Sequence, residues 1–113
     1  MKYLLLGAIT EKGQALAPAD LEAWMAEIGA WYEKQGSAGT LADPGYQLAM
    51  PDQARTIRAG GVTDGPYIEA KEVLGGYSVL EAPTIEQAVE IARGWPGVDQ
   101  GWMVMEVRPV MAM

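Results

Sequence analysis

Asp64 stands before Gly65 and Pro66, a pair that stiffens a turn, and a carboxylate held on such a turn is a candidate general acid or base. A structural role accounts for it too, because aspartate starts turns by hydrogen-bonding the backbone two residues on. Nearby, Lys71 and Glu72 offer a cation and a base at a pocket edge, and Tyr67 and Tyr77 offer rings to stack on, or hydroxyls to bond, a small molecule. Charged pairs of this kind are more often solvated, and tyrosines equally serve a core or an interface. Glu106 and Arg108 leave one side of a C-terminal strand, where Arg108 suits either capture of an anion or an ion pair inside an interface. Together these groups suit lyase or isomerase chemistry on a small metabolite in a cofactor-free site.

Other chemistries are excluded by composition. The 113 residues contain no histidine and no cysteine, which removes Ser-His-Asp and Cys-His catalysis, imidazole or thiolate metal sites and disulfides. No acidic loop has the spacing of a calcium site, so no metal is expected. Gly60-Gly61 and Gly75-Gly76 lack the strand-to-helix setting of a nucleotide fingerprint, and no cofactor is expected.

The elements that must position these residues are legible from periodicity. Lys2 to Ile9 is apolar on both faces, as a strand covered on both sides would be. Pro18, Asp20 and Glu22 open a helix whose stripe of Leu21, Trp24, Met25, Ile28, Trp31 and Tyr32 predicts burial, with Gly36 as the expected stop. Between Gly39 and Gly61 a hairpin or short strands are expected, with Asp43-Pro44-Gly45 as a turn and Thr56-Ile57-Arg58 as the best strand fragment. Tyr77 to Ala82 predicts a strand. Thr84 and Gln87 form a capping box for a second helix with Ile85, Ala88, Val89 and Ala92 inward, stopped by Gly94. Trp102 to Val110 predicts the last strand, with Met103, Met105 and Val107 on one face and Trp102, Val104, Glu106, Arg108 and Val110 on the other.

The order predicts one α+β domain over residues 1–113: a ferredoxin-like βαββαβ unit with an antiparallel sheet and both helices on one face. The other face then carries too much apolar surface for water, and a homodimer through the sheet is the simplest cover. A net charge of −7 with scattered basic residues argues against nucleic acid as a partner. No apolar run approaches the roughly 20 residues of a membrane helix, and a cytoplasmic location is expected.

The run from Asp64 through Gly65, Pro66 and Tyr67 to Gly75, Gly76 and Tyr77 closely resembles the motif that names the DGPF-type group of the YCII-related family. Tyr67 stands where that motif has phenylalanine. The opening Met1 to Leu6, the capped helix after Ala82 and Glu106 to Val110 extend the resemblance over nearly the whole chain. It implies a dimeric α+β barrel with a ligand pocket near the dimer interface. A histidine–aspartate pair is attributed to the YCII branch, and a chain without histidine does not carry it. Members often lie beside genes for extracytoplasmic-function sigma factors, so the resemblance also implies an alternative: a non-catalytic module that binds a protein such as a sigma factor.

Overall fold

Alternation along Lys2–Ile9 (β1) sends Tyr3 and Leu5 into the core and leaves Leu4, Leu6 and Ala8 half-buried on the other side. The computed structural model describes residues 1–67 and 70–112. A single turn of helix, Glu11–Gln14 (α1), follows β1; it was not anticipated, although Thr10 caps it by accepting from the Gly13 amide at 3.1 Å. The long helix Pro18–Ala38 (α2) has Pro18 in its first turn, as expected, but it runs through Gly36. It stops at Gly39, whose φ of 76° is the left-handed geometry that a C-terminal cap needs.

Leu41–Gln47 (β2) is an edge strand, and it contains Asp43-Pro44-Gly45 instead of ending there. The Asp43 carboxylate accepts from the Gly45 amide at 2.8 Å, so the expected aspartate-led turn does form, but as a bulge within the strand. Gly45 has a φ of 64°, and a Cβ there would meet the Tyr77 carbonyl at 1.9 Å, which makes glycine obligatory. Arg55–Arg58 (β3) and Gly61–Asp64 (β4) form a separate two-stranded hairpin. Val73–Glu81 (β5) returns to the main sheet, Ile85–Arg93 (α3) follows behind the Thr84 cap, and Met103–Pro109 (β6) closes the chain.

The four-stranded sheet has the order β2-β5-β1-β6, with every neighbouring pair antiparallel. With the β3–β4 hairpin set aside as an insertion, this is the ferredoxin-like βαββαβ arrangement, helices on one face. One cluster joins Tyr3, Leu5, Leu80 and Met103 of the sheet to Trp24, Trp31, Ala88, Ala92 and Trp95. Two stripe positions of α3 depart from expectation: Ala88 and Ala92 are buried, whereas Ile85 and Val89 remain over a third exposed. The small alanines are the ones that let α3 approach the sheet closely, and their bulkier neighbours are left at the margin.

Across the sheet, the open face presents Leu4, Leu6 and Ala8 beside Val79 and, from β6, Val104, Glu106 and Arg108. Trp102 does not join them. It lies before β6 on the helix side, packed edge-on against Trp24 with ring centroids 5.5 Å apart, because its carbonyl is held by the Thr10 amide at 3.0 Å.

A candidate small-molecule site between the long helix and the sheet

Leu21 and Met25 lie on the inward stripe of α2, yet they are 44% and 43% exposed. They are exposed to a cavity of about 330 Å³ that separates this part of α2 from the sheet. Trp24, Ile28 and Tyr32 continue the helix wall, Trp95 closes it from the segment after α3, and Leu5, Gly7, Ser78, Met103 and Met105 form the floor. Gly7 faces Gly76 across β1 and β5, so two adjacent strands offer backbone only at this point. The side chains of Met103 and Met105 reach into the room so made: a Cβ on Gly7 would lie 2.5 Å from the Met103 methyl. Thioether chains on a glycine floor give an adaptable surface.

None of the lining residues is charged. The polar groups among them are few. Ser78 is fully buried and stands in the inward register of β5, between positions that are otherwise apolar. Burial raises the Tyr32 phenol above its ordinary pKa, and the neighbouring Ser78 hydroxyl pulls the other way without cancelling it. Trp24 donates to the Pro96 carbonyl at 2.6 Å, which pins the wall. The indole N–H of Trp95 is buried and has no partner among the described residues.

The residues singled out from sequence fall elsewhere, with one exception. Tyr77 borders the cavity, but its register opposite Leu6 directs its ring to the open face, beside Tyr46 at a ring distance of 6.4 Å. Asp64 ends β4 and pairs with Arg55 across the hairpin at 3.1 Å, with 87% of its side chain exposed. The turn after it is strapped down by Thr56, which donates to the Gly65 carbonyl at 2.7 Å, and by Arg58, which donates to the Tyr67 carbonyl at 3.1 Å. Tyr67 is exposed, as are Lys71 and Glu72. The Lys71 carbonyl accepts from Gln14, which also donates to Ile9, so α1 staples the approach to β5 onto the end of β1. Arg108 makes an ion pair with Glu106 of its own strand on the open face. Ile68 and Glu69 of the motif lie outside the described residues.

Tyr32, Ser78 and Trp95 were not singled out by sequence. For Ser78 a signal exists: a hydroxyl in the buried register of a strand needs a reason to be there. Among the described residues, no group of three or more acidic side chains is arranged to hold a metal ion.

The family model of the YCII-related domain matches residues 1–113, the full length described by the sequence. The chain belongs to the YCII-related family. An uncharacterised protein of Rhizobium meliloti (strain 1021) is 30% identical over 90 residues, covering 76% of this chain and 72% of that protein. Among solved structures, 5-chloro-2-hydroxyhydroquinone dehydrochlorinase from Burkholderia phenoliruptrix AC1100, in complex with 2,5-dihydroxybenzoquinone, is similar over 100% of this chain and 96% of its own, with a TM-score of 0.55 and 15% identity. The likeness to that dehydrochlorinase is one of fold.

Proposed function

We propose that this YCII-related protein binds a small, ring-sized organic molecule in the cavity beneath α2 and acts on it without a cofactor, by lyase or isomerase chemistry. The observation that carries the reading is the uncharged, largely apolar cavity of about 330 Å³. That volume lies at the lower end of the range for ligand sites, roughly 300–1,000 Å³. An apolar cavity of about 150 Å³ is already enough to admit benzene. An aromatic ring buries roughly 150 Å², which at about 25 cal/mol per Å² contributes about 4 kcal/mol and supports a Kd on the order of 1 mM from apolar burial alone. The dehydrochlorinase with the same fold, holding a quinone, supports a ring-shaped guest and an elimination-type reaction.

In this reading Asp64 is the general acid or base, with Tyr67, Lys71, Glu72, Tyr77 and Arg108 as ligand-orienting groups. Within one chain only Tyr77 of this set borders the cavity, so the reading includes a homodimer through the open sheet face that lets a second copy bring its hairpin near the pocket. The test is a panel of substituted hydroquinones and benzoquinones, followed by thermal shift and by product analysis. A rise in Tm with at least one ring compound, abolished when Met25→Trp fills the cavity in a folded variant, is the expected result. No shift across the panel would overturn the cavity reading. Turnover that persists unchanged in Asp64→Asn would remove Asp64 from the chemistry.

A second reading is favoured by the charge of −7 and by the exposed Asp20, Glu22, Glu27 and Glu33 on the two flanks of α2: a regulatory module that binds a basic protein surface, such as that of a sigma factor. Capture of a sigma factor at physiological salt by the wild type, weakened by reversing these charges, would support it; failure to capture any at that salt counts against it. A cytoplasmic setting goes with both readings.

A further inference from the structure

We infer that the cavity selects an uncharged ring compound bearing a hydrogen-bond acceptor such as a carbonyl oxygen, and that the Tyr32 hydroxyl, backed by Ser78, is the donor that recognises it. The inference rests on the cavity reading and adds the ligand's chemistry to it. An ionised guest is disfavoured because no charged side chain lines the wall, and a buried charge without a partner costs far more than apolar contact returns. A purely apolar guest, in contrast, would leave the polar groups of the wall idle. Ser78 is 1% exposed, and Tyr32 is half-buried between Trp31 and Trp95, with ring centroids 5.3 Å and 5.4 Å away. Tyr32 and Ser78 both line the cavity, and a tyrosine hydroxyl both donates and accepts, so it can offer its hydrogen to a guest. Burial keeps the phenol protonated through the working pH range, so it remains a donor throughout.

Three probes of one shape separate these contributions: acetophenone, ethylbenzene and benzoate, titrated calorimetrically against the wild type, Tyr32→Phe and Ser78→Ala. The wild type is expected to bind acetophenone about tenfold more tightly than ethylbenzene, the difference one good hydrogen bond makes, and to bind benzoate least. Tyr32→Phe, which keeps the stacked ring, should erase the acetophenone preference and leave ethylbenzene binding unchanged; Ser78→Ala should narrow the gap. Equal binding of acetophenone and ethylbenzene by the wild type, or a preference that survives in Tyr32→Phe, overturns the inference while leaving the cavity reading intact. Binding of benzoate as tightly as acetophenone overturns it as well. If neither neutral ring binds the wild type, the cavity reading falls and the inference falls with it.

Discussion

Tyr32 shows how one residue's surroundings set its chemistry. Its phenol is removed from water by Trp31 and Trp95, which disfavours the phenolate and raises the pKa above the ordinary 10.0. A group whose folded pKa lies above its unfolded value holds its proton more tightly when folded. The associated stability is fully present below pH about 10 and is lost as pH rises through the folded pKa. Wild-type protein should therefore lose stability in denaturant melts above pH 10, and Tyr32→Phe should flatten that alkaline limb while leaving the neutral region with a modest change. A limb of equal steepness in the variant would show that other groups control it. Nothing in the sequence marks Tyr32 in this way, since its place on the α2 stripe reads the same for a tyrosine packed in a core and for one beside a cavity.

At the scale of elements, the parts legible in the sequence are those specified by local chemistry. The Thr84 hydroxyl does accept from the Gln87 amide, at 3.2 Å, and α3 starts where the capping box requires. Thr84→Ala should cost about 1 kcal/mol in a urea melt; no change would mean that the helix start is held by packing alone. Elements whose form depends on a distant neighbour were not legible. Asp43-Pro44-Gly45 carries the residues of a turn, and only the pairing of β2 with β5 makes it a bulge. The end of α2 is another case: Gly36 and Gly39 are equivalent by composition, and only Gly39 adopts the left-handed conformation. The cavity was hidden for a related reason, because Leu21 and Met25 keep perfect helical spacing whether or not the sheet comes up to meet them. Gly97 links the α3–β6 connection to the cavity wall. It has a φ of 96°, and a Cβ there would stand 2.6 Å from the Trp24 indole nitrogen. Gly97→Ala is expected to destabilise the fold by about 2 kcal/mol through backbone strain and displacement of Trp24, and to weaken ring binding as the wall shifts. Unaltered stability would mean that the connection relaxes freely.

The whole molecule is thin and wide, with extents of 43 × 43 × 18 Å and a radius of gyration of 15.2 Å. A compact domain of this length has a radius near 13 Å. The sheet is covered on one side only, and the β3–β4 hairpin stands apart from it as its own small sheet. Ile57 and Val62 are cross-strand partners in that hairpin and are 80% and 63% exposed. Both features fit a chain that completes itself by association, and the two-faced apolar pattern of β1 already carried this expectation in the sequence. Leu6→Glu places a charge in the middle of the open face, opposite Glu106. It is expected to convert a dimer to monomer in analytical ultracentrifugation while the far-ultraviolet circular dichroism stays native. A wild type that sediments as a monomer at tens of micromolar would end the sheet-dimer proposal.

All four tryptophans of the chain gather around the cavity. Trp24 and Trp95 form part of its wall, Trp102 packs edge-on against Trp24, and Trp31 lies 4.7 Å from Trp95. Excitation absorbed by any of them can pass to a neighbour, so the emission of the protein acts as one antenna trained on a single space. A quinone or other electron-poor guest would darken the whole signal on entry, and a saturated guest of the same size would merely shift its colour. The protein thus carries its own optical detector for any molecule that enters this space, with no label required.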